Sequence, residues 1–221
     1  MRTALGYQYH EDRFQNGADY TFKQNQIYSE AAYQIQNFWE IYGRIGIADL
    51  TISDGFRPHT ADAITSKADF NDNWSVYGTI GGKLFYPVDK GYGIGIFVQA
   101  GHALSDYSDS VSGTVSGVPF LTEVSVKNFW NVSVGMGLQI TGDSGVKVYA
   151  GPYLYYAEAK ISPSVITSAT GLTSGETHLK NKSNLGGFMG IAFPLFRMFD
   201  LNIEGQYSER FSISTAVTFT Y

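Results

Sequence analysis

Between Glu123 and Thr141 the chain alternates for longer than a soluble sandwich strand usually needs. Val124, Val126, Trp130, Val132, Val134, Met136, Leu138 and Ile140 fall on one face of an extended backbone, and Ser125, Lys127, Asn131, Ser133 and Gln139 on the other. Side chains in a strand point to opposite faces in turn, so one edge-on view is apolar and the other wet. A strand tilted through a bilayer, with a rim beyond it, has this length and this division. The apolar face then meets lipid, and the polar face a lumen.

The same period recurs along the whole chain. It predicts strands over about Thr3 to His10, Tyr20 to Gln36, Ile41 to Ile52, Trp74 to Tyr86, Ile94 to Ala100, Glu123 to Thr141, Val146 to Lys160, Leu185 to Phe193, Leu201 to Tyr207 and Phe211 to Tyr221. That is ten strands, with eight as the alternative count. Short turn segments (Asn37 to Glu40, Pro87 to Gly91, Gly142 to Gly145, Pro194 to Phe199) alternate with long polar ones: Glu11 to Asp19, Ser53 to Asn73, Ser105 to Thr122 and Ile161 to Asn181. Ser208 to Arg210 is a tight loop on the long-loop side. Pro152 lies inside the seventh strand, where a missing ladder donor predicts a local irregularity.

Composition removes the competing classes. At 43% hydrophobic, no run approaches the roughly 18 apolar residues a membrane helix requires. Sixteen Tyr, 15 Phe and 25 Gly suit aromatic girdles and closely packed strands, and the absence of Cys excludes disulfides and thiolate metal sites. A net charge of -5 argues against nucleic acid as a partner. No linker-like segment divides the chain, so residues 1 to 221 are expected to form one barrel domain. Met1 leads straight into a strand, so any signal peptide is expected to have been removed.

In the last strand Ile213, Val217, Phe219 and Tyr221 share one face while Ser212, Ser214, Thr218 and Thr220 share the other. A closing strand of this kind with a terminal aromatic resembles that of the small bacterial outer-membrane β-barrels, the opacity-type and OmpA-like group. The resemblance covers the whole chain through its alternation and departs in strand number, since that group usually has eight. It implies an all-β, antiparallel, up-and-down transmembrane barrel with short periplasmic turns and long extracellular loops, located in the bacterial outer membrane. It also implies that Phe219 and Tyr221 form the signal read by the barrel assembly machinery. The expected partners are outer-membrane lipid and lipopolysaccharide, with a protein partner at the extracellular loops. Most of the 20 acidic residues, Asp12, Asp19, Asp72 and Asp109 among them, fall in or beside those loops as a polar rim. The loop aromatics Phe14, Phe56, Phe70 and Phe120 either contact a partner or fold the loops back on themselves.

Inside the lumen the alternation places Glu30, Arg44, Lys83, Lys127, Lys147 and Glu204. An unpaired charge in a narrow barrel is costly, so opposite signs should pair, Glu30 with Arg44 across the Asn37 turn. With Tyr28, Tyr42, Tyr77, Phe97, Tyr149, Tyr153, Tyr155 and Phe188 these charges make a plug; the other reading is a cation-lined constriction for small anions. The four histidines, His10, His59, His102 and His178, fall at the outer end. His102, Ser105 and Asp106 are similar to the triad residues of the outer-membrane lipid A deacylases, but their spacing is three rather than two and the following Asn is missing. An offset of three puts the two side chains on opposite faces of a strand. Neither the paired Asp nor the Asp-x-His of the omptin proteases is found. No catalytic residue, cofactor or metal site is expected. The reading is a non-enzymatic barrel with a largely plugged lumen, acting as an anchor or through its extracellular loops; a narrow passive channel is the alternative, and a lipid hydrolase the second.

Overall fold

The computed structural model describes residues 1–15, 19–35, 38–56, 63–89, 91–167, 176–182 and 184–221, with backbone only for 63 and 164–167. Ten strands close into a ring: β1 (Arg2–Gln15), β2 (Asp19–Ile35), β3 (Trp39–Ser53), β5 (Phe70–Asp89), β6 (Tyr92–Ala103), β8 (Val118–Thr141), β9 (Lys147–Thr167), β11 (Leu185–Phe196), β12 (Phe199–Tyr207) and β13 (Phe211–Thr220). All pairings are antiparallel, and β1 closes on β13 from Arg2↔Thr220 to Glu11↔Phe211. The termini meet there, with the Tyr221 amide donating to the Met1 carbonyl at 3.1 Å. Ring closure satisfies the backbone without leaving sheet edges, which the hydrocarbon core demands.

The outward residues locate the membrane. Leu5, Ile27, Ile41, Ile45, Ile80, Ile96, Met136, Leu138, Leu154, Met189 and Val217 all point away from the interior and are exposed. Water would penalise such a band, at about 25 cal/mol per Å². Aromatic residues border it on both sides. Tyr33, Trp39, Tyr86, Tyr92, Phe196 and Tyr221 lie toward the short turns, and Tyr7, Trp74, Tyr207 and Phe211 toward the long connections. An apolar band between two aromatic girdles is the arrangement of a transmembrane barrel.

The long connections hold more strand than their polar composition predicted. β4 (Ala63–Thr65), β7 (Tyr107–Val115) and β10 (Thr177–Asn181) lie in segments read as loops. β7 folds onto the outer half of β8 through Ser116-Gly117, both at positive φ (50° and 79°), the twist a two-residue hairpin uses. β10 bridges β9 to β1 above the shorter β11 to β13. β1 likewise runs on to Gln15 rather than ending at His10. The expected Asn16-Gly17 turn and His59 lie outside the described residues.

Two irregularities separate the pattern from the structure. At Pro152 no register shift occurs: it sits opposite Gly187, and the pairing with β8 passes over Met136 and Gly137. The larger disturbance is on β8, where Asn128 at φ 50° makes a bulge between Lys127 and Trp130. One extra residue reverses every side chain before it. Val124 and Val126 therefore face inward and are buried, and Lys127 faces outward.

Candidate functional site

The interior is stacked in three layers. Nearest the short turns is a layer of charge: Arg2 Nη2 donates to Glu30 Oε1 at 2.9 Å and to Glu40 Oε1 at 2.7 Å, and Arg44 Nε donates to Glu30 Oε2 at 2.7 Å. Antiparallel register sets this up, since Glu30 stands opposite Arg44 and Glu40 opposite Lys83. Arg44 lies over the rings of Tyr28 and Tyr42, 4.7 and 5.0 Å from their centroids, and Lys83 lies 5.1 Å from that of Tyr42. Such contacts hold a cation where water is scarce. Across the lumen the Tyr149 hydroxyl donates to Glu204 at 3.0 Å, as does Gln206 Nε2 at 2.9 Å. Arg2, Arg44 and Lys83 thus line, with Glu30 and Glu204, a polar cavity of about 100 Å³, and Glu40 lies behind Arg2 and Lys83.

The middle layer joins elements distant in sequence. Arg210 Nε lies 2.9 Å from Asp12 Oδ1, and the Tyr155 hydroxyl donates to Asp12 Oδ2 at 2.8 Å. The guanidinium also lies 4.0 Å from the centroid of the Tyr155 ring. Burial by itself lowers the Arg210 pKa, but Tyr155 and Asp12 outweigh it and hold it above the ordinary value. His10 is buried beside this pair, its Nε2 3.9 Å from Asp12 Oδ2, with neither ring nitrogen in a hydrogen bond. Asn131 donates to the Tyr77 hydroxyl at 2.8 Å and Gln24 to that of Tyr107 at 2.6 Å. On β7, outside the membrane, burial raises the Tyr107 phenol above its ordinary value.

Above this the interior becomes apolar. Phe14, Phe22, Leu50, Ile52, Phe70, Val126, Phe129 and Leu179 are 0–1% exposed. Phe14 and Phe22 stack at 4.4 Å, with Phe129 against both at 6.1 and 6.3 Å. The residues come from β1, β2, β3, β5, β8 and β10, so the cap is built from most of the circumference. Phe14, Phe56 and Phe70 are folded inward rather than offered to a partner, and Phe120 packs against the same core.

Of the residues assigned to the lumen from sequence, Glu30, Arg44, Lys83 and Glu204 line the cavity. Lys127 does not: the bulge at Asn128 turns it to the outer surface. Lys147 is exposed at the inner end of β9, outside the charge network. Arg2, Glu40, His10, Asp12 and Arg210 were missed. Arg2, His10 and Asp12 share the inward parity of Ala4 and Gln8, a signal present in the sequence, but the polar run from Glu11 onward reads as a loop. Asp12 accordingly belongs to the interior and not to the acidic rim. Phe219 packs between Phe199 and Tyr221, with ring centroids at 5.0 and 4.6 Å, on the lipid face.

His102 points outward opposite Trp130, while the Ser105 hydroxyl accepts the Val76 amide at 3.2 Å. Among the described residues no group of three or more His, Asp or Glu side chains is placed to hold a metal ion.

Comparison with known proteins places the architecture. No protein-family profile matches the chain, and no curated protein matches it in sequence. Among solved structures it is similar to the translocator domain of the autotransporter NalP from Neisseria meningitidis, at 12% identity over 100% of this chain and 88% of that one, with a TM-score of 0.54. It is also similar to the outer membrane protease OmpT from Escherichia coli, at 9% identity over 100% and 96%, with a TM-score of 0.56. The fold is that of the small outer-membrane β-barrels.

Proposed function

We propose that the chain is a non-enzymatic outer-membrane barrel with a closed lumen, a rigid mount that meets a surface partner through the β-structure at its outer end. The observation that carries this reading is the apolar cap: Phe14, Phe22, Phe129 and their neighbours fill the interior where an ion would have to pass. Opening it means separating close-packed aromatic rings, each costing about 3–5 kcal/mol to remove. The strands that continue past the outer girdle support the rest of the reading. β8 runs from Trp130 back to Val118, paired with β7, which in turn pairs with the short edge strand β4 carrying the exposed Ile64. This platform suits a protein partner, while Phe219 and Tyr221 are suited to the assembly machinery.

The deciding experiment is conductance of the folded full chain in a planar bilayer. A silent bilayer, from protein that migrates as a folded barrel before heating, is the expected result. The polar cavity beside Arg2, Arg44 and Lys83 favours a second reading, a narrow passive channel. Ion-selective steps altered by Lys83→Glu would establish that reading and remove the closed mount.

A further inference from the structure

Just beyond the outer aromatic girdle, the outward face of β8, β9 and β10 brings three lysines together around a single carboxylate, Glu158. Trp130 and Tyr156 pack at 5.3 Å and mark the end of the apolar band there. The next outward residues toward the outer end are Lys127 on β8 and Lys160, beyond Glu158, on β9, and they stand directly opposite one another. Lys160 is in turn opposite His178 on β10, and Lys180, the next outward-facing residue of that strand and one position nearer the membrane, stands opposite Glu158. Like charges placed directly across a ladder repel. His178 lies 3.5 Å from Glu158, but Lys127, Lys160 and Lys180 make no ion pair among the described residues. Outside those residues the sequence holds one carboxylate, Asp62, and the β9–β10 connection (168–175) holds none.

We infer that Lys127, Lys160 and Lys180 form a binding site for the phosphates of an outer-leaflet glycolipid headgroup, whose acyl chains lie against Trp130 and Tyr156. The repulsion between Lys127 and Lys160 is relieved by an anion between them, and a phosphate accepts from both ammonium groups at once. The position selects the source of that phosphate. The patch adjoins the apolar band, so a ligand with an acyl body and an anionic head touches both surfaces, whereas a soluble anion touches only one. The Asn128 bulge makes the site, because without it Lys127 would face the lumen and Val126 the outside.

The test uses the folded full chain in zwitterionic detergent, with bis-phosphorylated lipid A, the same lipid stripped of phosphate, and inorganic pyrophosphate as probes. One lysine near an anionic surface changes affinity about 5-fold, so Lys160→Gln should weaken binding of phosphorylated lipid A by about that factor, and the triple Gln variant on the order of 100-fold. Lys147→Gln, at the inner end, should leave it unchanged. Equal binding by the dephosphorylated lipid, or by the triple variant, overturns the site. Pyrophosphate binding as tightly as the lipid overturns its assignment to a lipid. If the triple variant does not fold, Lys160→Gln and a Lys→Arg triple decide: a Gln variant equal to the parent, or an Arg triple that loses binding, refutes the proposal.

Discussion

Removing the Arg210 guanidinium should damage this barrel more than any exposed charge. Arg210 Nε and Asp12 Oδ1 lie 2.9 Å apart, with Asp12 1% and Arg210 6% exposed. At an effective dielectric constant near 20, two unit charges at that distance attract by about 6 kcal/mol, most of it offset by the cost of taking both ions from water. Arg210→Met keeps much of the apolar stem but leaves Asp12 with only the Tyr155 hydroxyl and the distant His10 ring. A buried charge stripped of its partner costs about 3–5 kcal/mol. The double variant Asp12→Leu/Arg210→Met removes both charges and should recover most of that loss. Equilibrium unfolding in urea, in lipid vesicles, measures all four corners of the cycle. Additive losses, or a cost below about 1 kcal/mol for Arg210→Met, would refute the reasoning, because a pair this buried must couple.

Three further outcomes follow from the packing. Phe129→Ala should cost about 3–5 kcal/mol in the same unfolding assay, since Phe129 is 1% exposed and touches both Phe14 and Phe22. Asn128→Val should lose about 1–2 kcal/mol, while Asn128→Gly should match or exceed the parent, because the position sits at φ 50°. Gly46→Ala should lower the unfolding midpoint by an amount equivalent to about 1–3 kcal/mol, its new methyl meeting the Ile27 carbonyl and the Tyr28 backbone rather than a movable side chain.

Much of the barrel is written in local pattern. Trp74 to Tyr86 and Val132 to Ile140 alternate so strictly that neither their strand state nor their outward face depends on anything distant. The period of two ties side-chain direction to position in the chain. The same logic assigned Glu30, Arg44, Lys83 and Glu204 to the interior. The alternation of short and long connections was likewise legible in residue order.

Tertiary structure decided what period-two counting does not carry. The polar runs after His10 and before Glu123 become strand because Phe14, Val111, Val124 and Val126 find an apolar cap to enter, and that cap is assembled from strands far apart in the chain. A single residue at positive φ, Asn128, reverses the parity of all that precedes it on β8; it exchanges Lys127 for Val126 between surface and interior. Asp12 meets Arg210 only because β13 closes against β1. Alternation is a property of neighbours in sequence, whereas bulges, caps and buried ion pairs depend on which strands ring closure brings together.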